Sequence, residues 1–326
     1  MPVRTGNDGA RPLISIGITC YNAEETIVRA VESALAQTWP EREILVVDDA
    51  SADRSVAVLR ELEEAHREVR LIRHKSNRGV PEARNTLLAQ ARGTFIAFFD
   101  DDDVSVPARL EQQYRHMVEY ESAHPGVTVL CYSNRDVVQA GDVRPTSERL
   151  GIGRLPPAPS GPIVADYVLG LLRDDGRHSW GMLGSCTLMA RTQALHDLDG
   201  FDIQFRRCAE LDLAIRAAHE GAHFISVDMS LVTQYLTPTA DKAGDADLRY
   251  RLLLVKKHRR YLKEKRCYVG AWCYMHAWFY CWRHWRWRLW YLAALVCFPW
   301  RVSWERIKRS SLLARVGLPQ ARVTSP

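Results

Sequence analysis

An apolar run, Phe95-Ile96-Ala97-Phe98-Phe99, passes without a break into four aspartates, Asp100, Asp101, Asp102 and Asp103. A short apolar run of this kind reads as a buried strand. In open α/β sheets, ligands bind just beyond the carboxyl ends of the strands. Four adjacent carboxylates repel one another, so folding alone does not favour them. A divalent cation offsets that repulsion, because hard cations take oxygen ligands and are shared between one or two carboxylates and substrate phosphates. Taken alone, such a run could also be a solvated acidic turn capping the next helix.

The surrounding chain alternates strand and helix. Residues 13–18 and Glu43-Ile44-Leu45-Val46-Val47 are strand-like, and the second run stops at Asp48-Asp49. Asn22 is placed to cap a helix from Ala23 to about Gln37, with Glu24 and Glu25 in its first turn, where the helix dipole favours acidic groups. Ser51 or Asp53 can cap a second helix through Ala65, Val69–Arg73 is a half-buried strand, and Pro81–Ala91 is a third helix. Thr94–Phe99 is the fourth strand, followed after Pro107 by a helix to Ser122 and by a strand over Val127–Tyr132. Repeated βα units with short loops predict a mostly parallel sheet covered by helices. Further on, residues 141–162 read as a long loop, Ser185–Ala190 as a strand, Leu211–His219 as a short helix, and Leu248–Lys265 as a basic helix.

Charge divides the chain in two. Residues 249–310 hold 16 of the 44 Lys/Arg but only Glu264 and Glu305 of the acidic residues, a local balance of +14 that leaves −9 for the remainder. An acidic body suits a cation-dependent site, and a basic tail suits an anionic surface. The eight cysteines are scattered with no CxxC spacing, which fits reduced thiols. No stretch approaches ~20 uninterrupted apolar residues, so a simple spanning helix is not expected. No basic-then-apolar leader opens the chain. The expectation is a cytoplasmic protein held peripherally at the inner face of the membrane.

Five segments occur in an order that resembles family 2 glycosyltransferases: ISIGITCYNAEETI, ILVVDDASAD, SNRGVPEARN, GTFIAFFDDDDVSVPARL and GFDIQFRRCAELDLAIR. They cover roughly residues 12–220. The resemblance implies an α/β, Rossmann-like GT-A fold, a nucleotide-diphospho-sugar transferase fold. It also implies inverting transfer of a hexosyl or N-acetylhexosaminyl unit. The divisions expected are a GT-A domain over 1–236, a hinge over 237–248 and a helical, membrane-associating region over 249–326.

Thr19 and Tyr21 follow the first strand and face the ligand edge, where a tyrosine ring can stack on a nucleobase; half-buried packing is the other role open to Tyr21. By the resemblance, Asp49 contacts the base, its alternative being a helix cap. Asn77, Gly79, Arg84 and Asn85 border the nucleotide, and the Arg84 fork can offset diphosphate charge. Asp100 and Asp102 fall at the ends of a DxD motif, with Asp102 as metal ligand, Asp101 near the ribose and Asp100 in support. The all-oxygen donor set implies Mg²⁺ or Mn²⁺, which would hold the diphosphate as leaving group. Inversion needs one general base to take the acceptor's proton. Matching Asp212-Leu213 to the family's pattern puts Glu210 at the base position, where an Asp is usual, with Asp212 as the alternate. Both could instead simply favour a helix start. Gly184 and Ser185 are expected on the acceptor side, and Trp180 or His178 could contact a sugar.

Eight of the ten tryptophans lie between Trp272 and Trp304, among Arg283, Arg286, Arg288 and Arg301. Aromatic and cationic residues so mixed suit helices lying in a membrane interface. A helical hairpin packed on the catalytic domain is the alternative. Nucleic-acid binding is not expected, since no such motif accompanies the tail. Cys273, His276, Cys281 and His284 invite a zinc site, but on one helix they would spread over ~16 Å. The donor implied is a UDP-sugar, ahead of dTDP- and GDP-sugars, and the acceptor a saccharide or lipid-linked saccharide in cell-surface polysaccharide synthesis. Two rivals stand beside this reading. A sugar-nucleotide pyrophosphorylase would want a Gly-rich basic loop where Thr19–Glu24 stands. A non-catalytic membrane scaffold would keep the fold without the chemistry.

Overall fold

The computed structural model describes residues 11–139, 142, 144–172, 176–236, 246–280 and 287–297. Its first half is β1 (Ile14–Cys20), α1 (Ile27–Leu35), β2 (Arg42–Asp48), α2 (Ser55–Ala65), β3 (Val69–Arg73), α3 (Val80–Gln90) and β4 (Phe95–Asp100). These four strands pair in parallel in the order β3-β2-β1-β4. Side chains on a strand alternate between faces, and both faces here are apolar. Ile14, Ile16, Ile18, Phe95, Ala97 and Phe99 enter one core, while Ile96, Phe98, Leu45 and Val47 enter the other. That is why these strands read as continuous apolar runs. Gly17 lets α3 lie close, since a Cβ there would meet Leu87 at 3.1 Å.

The second half contains β5 (Val104–Ser105), α4 (Arg109–Ala123), β6 (Val129–Val138), β7 (Ser147–Arg149), α5 (Pro162–Val168), a 3-10 turn at Ser185–Thr187, β8 (Met189–Arg191) and α6 (Thr192–Asp197). It continues with α7 (Ala209–His219), β9 (His223–Tyr235), α8 (Ala246–Lys257), α9 (Arg259–Glu264), α10 (Tyr268–Tyr280) and α11 (Trp287–Cys297). The sheet extends from β4 through β8, β6, β9 and β5, with β7 on β6. Beyond β4 its pairing is mixed: β8 is antiparallel to both neighbours, and β6 and β9 are parallel.

Several local expectations shift. Helix α1 starts at Ile27, not Ala23, and has no acidic residue in its first turn. Asn22 sits at φ 50° and accepts the Ala52 N–H at 2.9 Å, while Glu24 accepts the Arg54 N–H at 2.8 Å. Both residues therefore tie two loops together instead of serving a helix start. Asp53 does act near the head of α2, accepting the Ser55 N–H at 3.0 Å. The strand expected over Ser185–Ala190 is a 3-10 turn followed by three strand residues. The stretch expected as a loop over 141–162 contains β7, and Gly151 bridges to Met182. The basic helix expected over Leu248–Lys265 is two helices, α8 and α9, separated at His258.

The C-terminal helices share the larger apolar core. Leu248, Leu254, Leu262, Ala271, Tyr274, Phe279 and Ala294 join Phe98, Leu213 and Phe224 in one cluster. Among the described residues, no helix is long and apolar enough to cross a membrane. Most of the expected hinge, the Cys281 and His284 pair, and Arg283, Arg286 and Arg301 lie outside the described residues.

Candidate active site

The parallel register brings the carboxyl ends of β1, β2 and β4 into line: Cys20 faces Asp48 and Thr19 faces Asp100. The chain passes from β1 to β2 on one side and reaches β4 on the other, so the strand order reverses beside β1. Such a switch point leaves a crevice between the loops. The loops are laced together across it. Asn22 N–H donates to Ser51 Oγ at 2.9 Å, Ala23 N–H to Ser55 Oγ at 2.8 Å, and Tyr21 N–H to Asp101 Oδ2 at 3.0 Å. Thr19 is buried at the strand end, and Tyr21 presents an exposed ring at the rim.

Asp49 is buried and bonded at both oxygens. Oδ1 accepts from His74 Nδ1 at 2.7 Å and from Arg78 N–H at 2.9 Å, and Oδ2 accepts from Gly79 N–H at 2.7 Å. A carboxylate accepts only, so His74 Nδ1 is the donor in that bond, and its Nε2 lies 2.9 Å from the Thr86 hydroxyl. Asp49 thus fixes the loop that carries Asn77 and Gly79. Gly79 needs its lack of a side chain there, at φ 90°. Asn77 is exposed on the same loop. Asn85 turns elsewhere: its amide donates to the Phe201 carbonyl at 2.7 Å and accepts the Phe201 N–H at 2.8 Å. It ties α3 to the segment leading into α7.

The four aspartates do not act alike. Asp100 accepts from Arg84 Nη2 at 3.3 Å. Asp101 holds the Tyr21 amide. The Asp102 carbonyl accepts from Arg29. Asp103 is buried, takes the Tyr235 N–H at 3.2 Å through Oδ1, and leaves Oδ2 without a hydrogen-bond partner. Burial, then the charges of Asp102 and Asp100, push Asp101 up to about 7, against the Tyr21 N–H. Burial, then Asp100 and Asp102, push Asp103 up to about 8, against Arg135. Fully buried Arg109 lies behind the run. It donates to Phe98 O, Ser105 Oγ and Gln113 Oε1 at 2.9–3.0 Å, and burial lowers it to about 10.

Asp100, Asp103 and Cys186 bring possible metal-ligating atoms within 4.8 Å of one another. The Arg135 guanidinium already faces that group, with Nη1 2.9 Å from Cys186 Sγ. Gly184 makes room for it, since a Cβ there would stand 2.6 Å from Arg135 Nη1. Arginines 84, 109 and 135 therefore counter the acidic run from the protein side. The two carboxylates of that group, with the orphaned buried Oδ2 of Asp103, offer the oxygen ligands a hard divalent cation takes, while its third member, Cys186, offers sulfur. Asp102 is outside the inward-facing group.

On α7, Glu210 is half-buried and Asp212 is fully buried. The Asp212 carboxylate binds Arg216 Nε at 2.8 Å, Lys257 Nζ at 2.8 Å and His258 Nε2 at 2.9 Å. Burial works against its charge, but the bonds from His258, Lys257 and Arg216 outweigh it and hold Asp212 well below the usual carboxylate range. A carboxylate so engaged is a poor proton acceptor. Trp180 is stacked on Tyr167, with ring centroids 4.6 Å apart and His178 at 5.5 Å. Ser185 is buried in the 3-10 turn.

Sequence reasoning did not find Arg109, Arg135, Lys257 or His258. For Arg109 a signal existed. It and Gln113 fall on the face of α4 that Leu110 and Met117 bury, and a polar pair at core positions needs a partner to explain it.

A four-stranded parallel half-sheet ending in an acidic crevice, continued by a mixed sheet, defines a GT-A nucleotide-diphospho-sugar transferase fold. Structures of S. aureus TarS 1-349 share it. The complex with UDP gives a TM-score of 0.56 at 18% identity, covering 91% of this chain and 77% of that one. The complex with UDP-GlcNAc gives 0.59 at 17%, covering 91% and 83%. The family model for glycosyl transferase family 2 matches residues 15–152. Among curated relatives, the succinoglycan biosynthesis protein ExoO of Rhizobium meliloti (strain 1021) is 41% identical over 127 residues, 39% of this chain and 34% of ExoO. The Escherichia coli UDP-Glc:alpha-D-GlcNAc-diphosphoundecaprenol beta-1,3-glucosyltransferase WfgD is 39% identical over 107 residues, 33% of this chain and 42% of WfgD. The match thus spans less than half the length of these relatives.

Proposed function

We propose that the protein is an inverting, metal-dependent glycosyltransferase that moves a sugar from a UDP-sugar to a saccharide or lipid-linked acceptor in cell-surface polysaccharide synthesis. The observation that carries this is the crevice at the switch point. Acidic residues at the end of β4 meet an exposed aromatic after β1 and a buried arginine on α3, and a half-buried carboxylate stands on α7. Tyr21 would stack on the base, and Asp49, with the loop it fixes, would border it. Arg84 would face the diphosphate beside Asp100. Asp102, with Asp101 near the ribose, would hold Mg²⁺ or Mn²⁺, whose charge would stabilise the departing nucleoside diphosphate. Glu210 would take the proton from the acceptor hydroxyl as that oxygen attacks the anomeric carbon. The TarS complexes with UDP and UDP-GlcNAc, and the UDP-Glc for which WfgD is named, support a uridine nucleotide as donor carrier.

The partner at the C-terminal end would be an anionic membrane surface. Leu289, Leu292 and Val296 share one face of α11 and are 55%, 57% and 83% exposed, beside exposed Arg288. An apolar helix face edged by cations is the pattern of an interfacial helix.

Calorimetry with UDP, GDP and dTDP, with and without Mn²⁺, tests the donor site. Mn²⁺-dependent UDP binding that Asp102→Ala abolishes is the expected result. Absence of nucleotide binding by folded protein would overturn the reading in favour of a scaffold. For the base, Glu210→Gln is expected to keep UDP binding and lose turnover.

A further inference from the structure

We propose that Lys257 and His258 are positioning residues for the transfer reaction: acting through Asp212, they hold the first turn of α7, and Glu210 with it, in working position. This rests on the reading of Glu210 as general base. Lys257 ends α8 and His258 follows it, and both reach the same fully buried carboxylate from 45 and 46 residues away. Lys257 also binds Asp202 at 2.6 Å, in the segment that leads into α7. From the other side Arg216 binds Asp212 and donates to the carbonyls of Leu198 and Gly200. One carboxylate thus joins the approach to α7, α7 itself and the end of α8.

Core packing holds the body of helix α7, and the clamp holds its first turn. The helix has 11 residues, and no side chain caps its N-terminus, which begins at Cys208 with φ 65°. A helix of that length holds little stability of its own in water. Successive residues on an α-helix are about 100° apart, so Glu210 and Asp212 point in nearly opposite directions. Pinning Asp212 into the protein therefore turns Glu210 away from it, toward the half-buried position it occupies. The clamp is itself braced. Tyr261 Oη and Lys265 Nζ of the α9 region bind Asp166 on α5 at 2.8 and 2.6 Å. On α8, Arg251 binds Asp247 at 2.9 Å, lies 3.9 Å from the Trp278 ring centroid and is close enough to Glu210 for their charges to act on each other. The C-terminal helices are, on this geometry, part of the catalytic apparatus.

The test uses the full chain with Lys257→Met, His258→Leu, the conservative Lys257→Arg and His258→Gln, and the triple Asp212→Leu/Lys257→Met/His258→Leu, in which Arg216 keeps its bonds to the Leu198 and Gly200 carbonyls. Three quantities are read: hydrogen exchange at amides 209–213, UDP affinity with Mn²⁺, and UDP released from UDP-GlcNAc with water as acceptor. For the first two variants we expect at least tenfold faster exchange at 209–213 and at least tenfold slower release, with UDP affinity within twofold of the parent. The conservative pair should recover most of the release. The triple variant, whose apolar replacements keep the interior filled, should fold and bind UDP yet release it slowly. Unchanged exchange at 209–213 overturns the proposal. So does a loss of release matched by an equal loss of UDP affinity, the signature of general unfolding. Glu210→Gln run in parallel separates the two readings: full release by that variant sinks the base assignment, whatever the exchange data show.

Discussion

Replacing Asp212 by Asn separates an anchor from a base. In the parent, three cationic or protonatable groups converge on a carboxylate with no solvent exposure, at 2.8–2.9 Å. Removing one partner of a buried ion pair costs about 3–5 kcal/mol, because the remaining charge stays unpaired. Two of the partners soften that here: the side chains of Lys257 and Arg216 are 31% and 23% exposed and can rehydrate. A loss of ~3 kcal/mol is therefore the working figure. With an unfolding entropy of about 2 cal/mol/K per residue, a 326-residue chain should lose about 4 °C in Tm. Calorimetric or fluorescence melting, run without denaturant on the parent and the variant, measures it. The pH dependence follows from the sign of the shift. A carboxyl held below its usual range stabilises the fold above the unfolded pKa and loses that contribution as pH falls toward the folded one. The gap in Tm should persist from pH 8 to 5 and close only below about 4. Glu210→Gln should leave Tm nearly unchanged while turnover falls. An Asp212→Asn variant with parental Tm and no turnover would refute the reasoning and make Asp212 the base.

Other expectations concern the rest of the chain. Asp101 and Asp103 are raised, so they favour the fold below about pH 4 and lose that contribution as pH rises through about 7 to 8. Metal-free protein should melt higher at pH 6 than at pH 8.5, and Asp103→Asn or added Mn²⁺ should flatten the slope. Gly93→Ala should destabilise by ~1–3 kcal/mol or more, since its Cβ would meet Ser15 N at 2.6 Å and two carbonyls at 2.8 Å; urea melts would show it. Replacing Leu289, Leu292 and Val296 together by Ser should cut cosedimentation with anionic vesicles at least tenfold while leaving UDP affinity alone. Equal cosedimentation would remove α11 as the membrane face.

The first half of the fold was legible because β1, β2 and β4 are buried on both faces and so appear as apolar runs, the last two ending in Asp48-Asp49 and Asp100–Asp103. The second half was less so. Strand β9 went unnoticed: its pairing with β6 shifts register at Ser133, Asn134 and Arg135, and Asp228-Met229-Ser230 interrupts its apolar alternation. Helices α5 and α6 span only 7 and 6 residues, too short for periodicity to speak. In the site, residue types at strand ends could be anticipated, but partners could not. The bonds of Asn85 to Phe201 cross 116 residues, and those of Asp212 to Lys257 and His258 cross 45 and 46. Such pairings are created by tertiary packing, to which local pattern is blind.

The two faces of the sheet complete their cores at different points along the chain, and this matters while the protein is being made. Among the described residues, the buried residues of the core around Ile14 and Phe99 end at Ile225, whereas those of the core around Phe98 and Phe224 run to Ala294, 69 residues later. At synthesis rates of about 5–20 residues per second, that interval is ~3–14 s. During it a nascent chain can seal one side of its sheet while the other, with α7 upon it, still lacks its cover. Ribosome-bound intermediates stalled in this window would be natural clients for chaperones that recognise apolar surface.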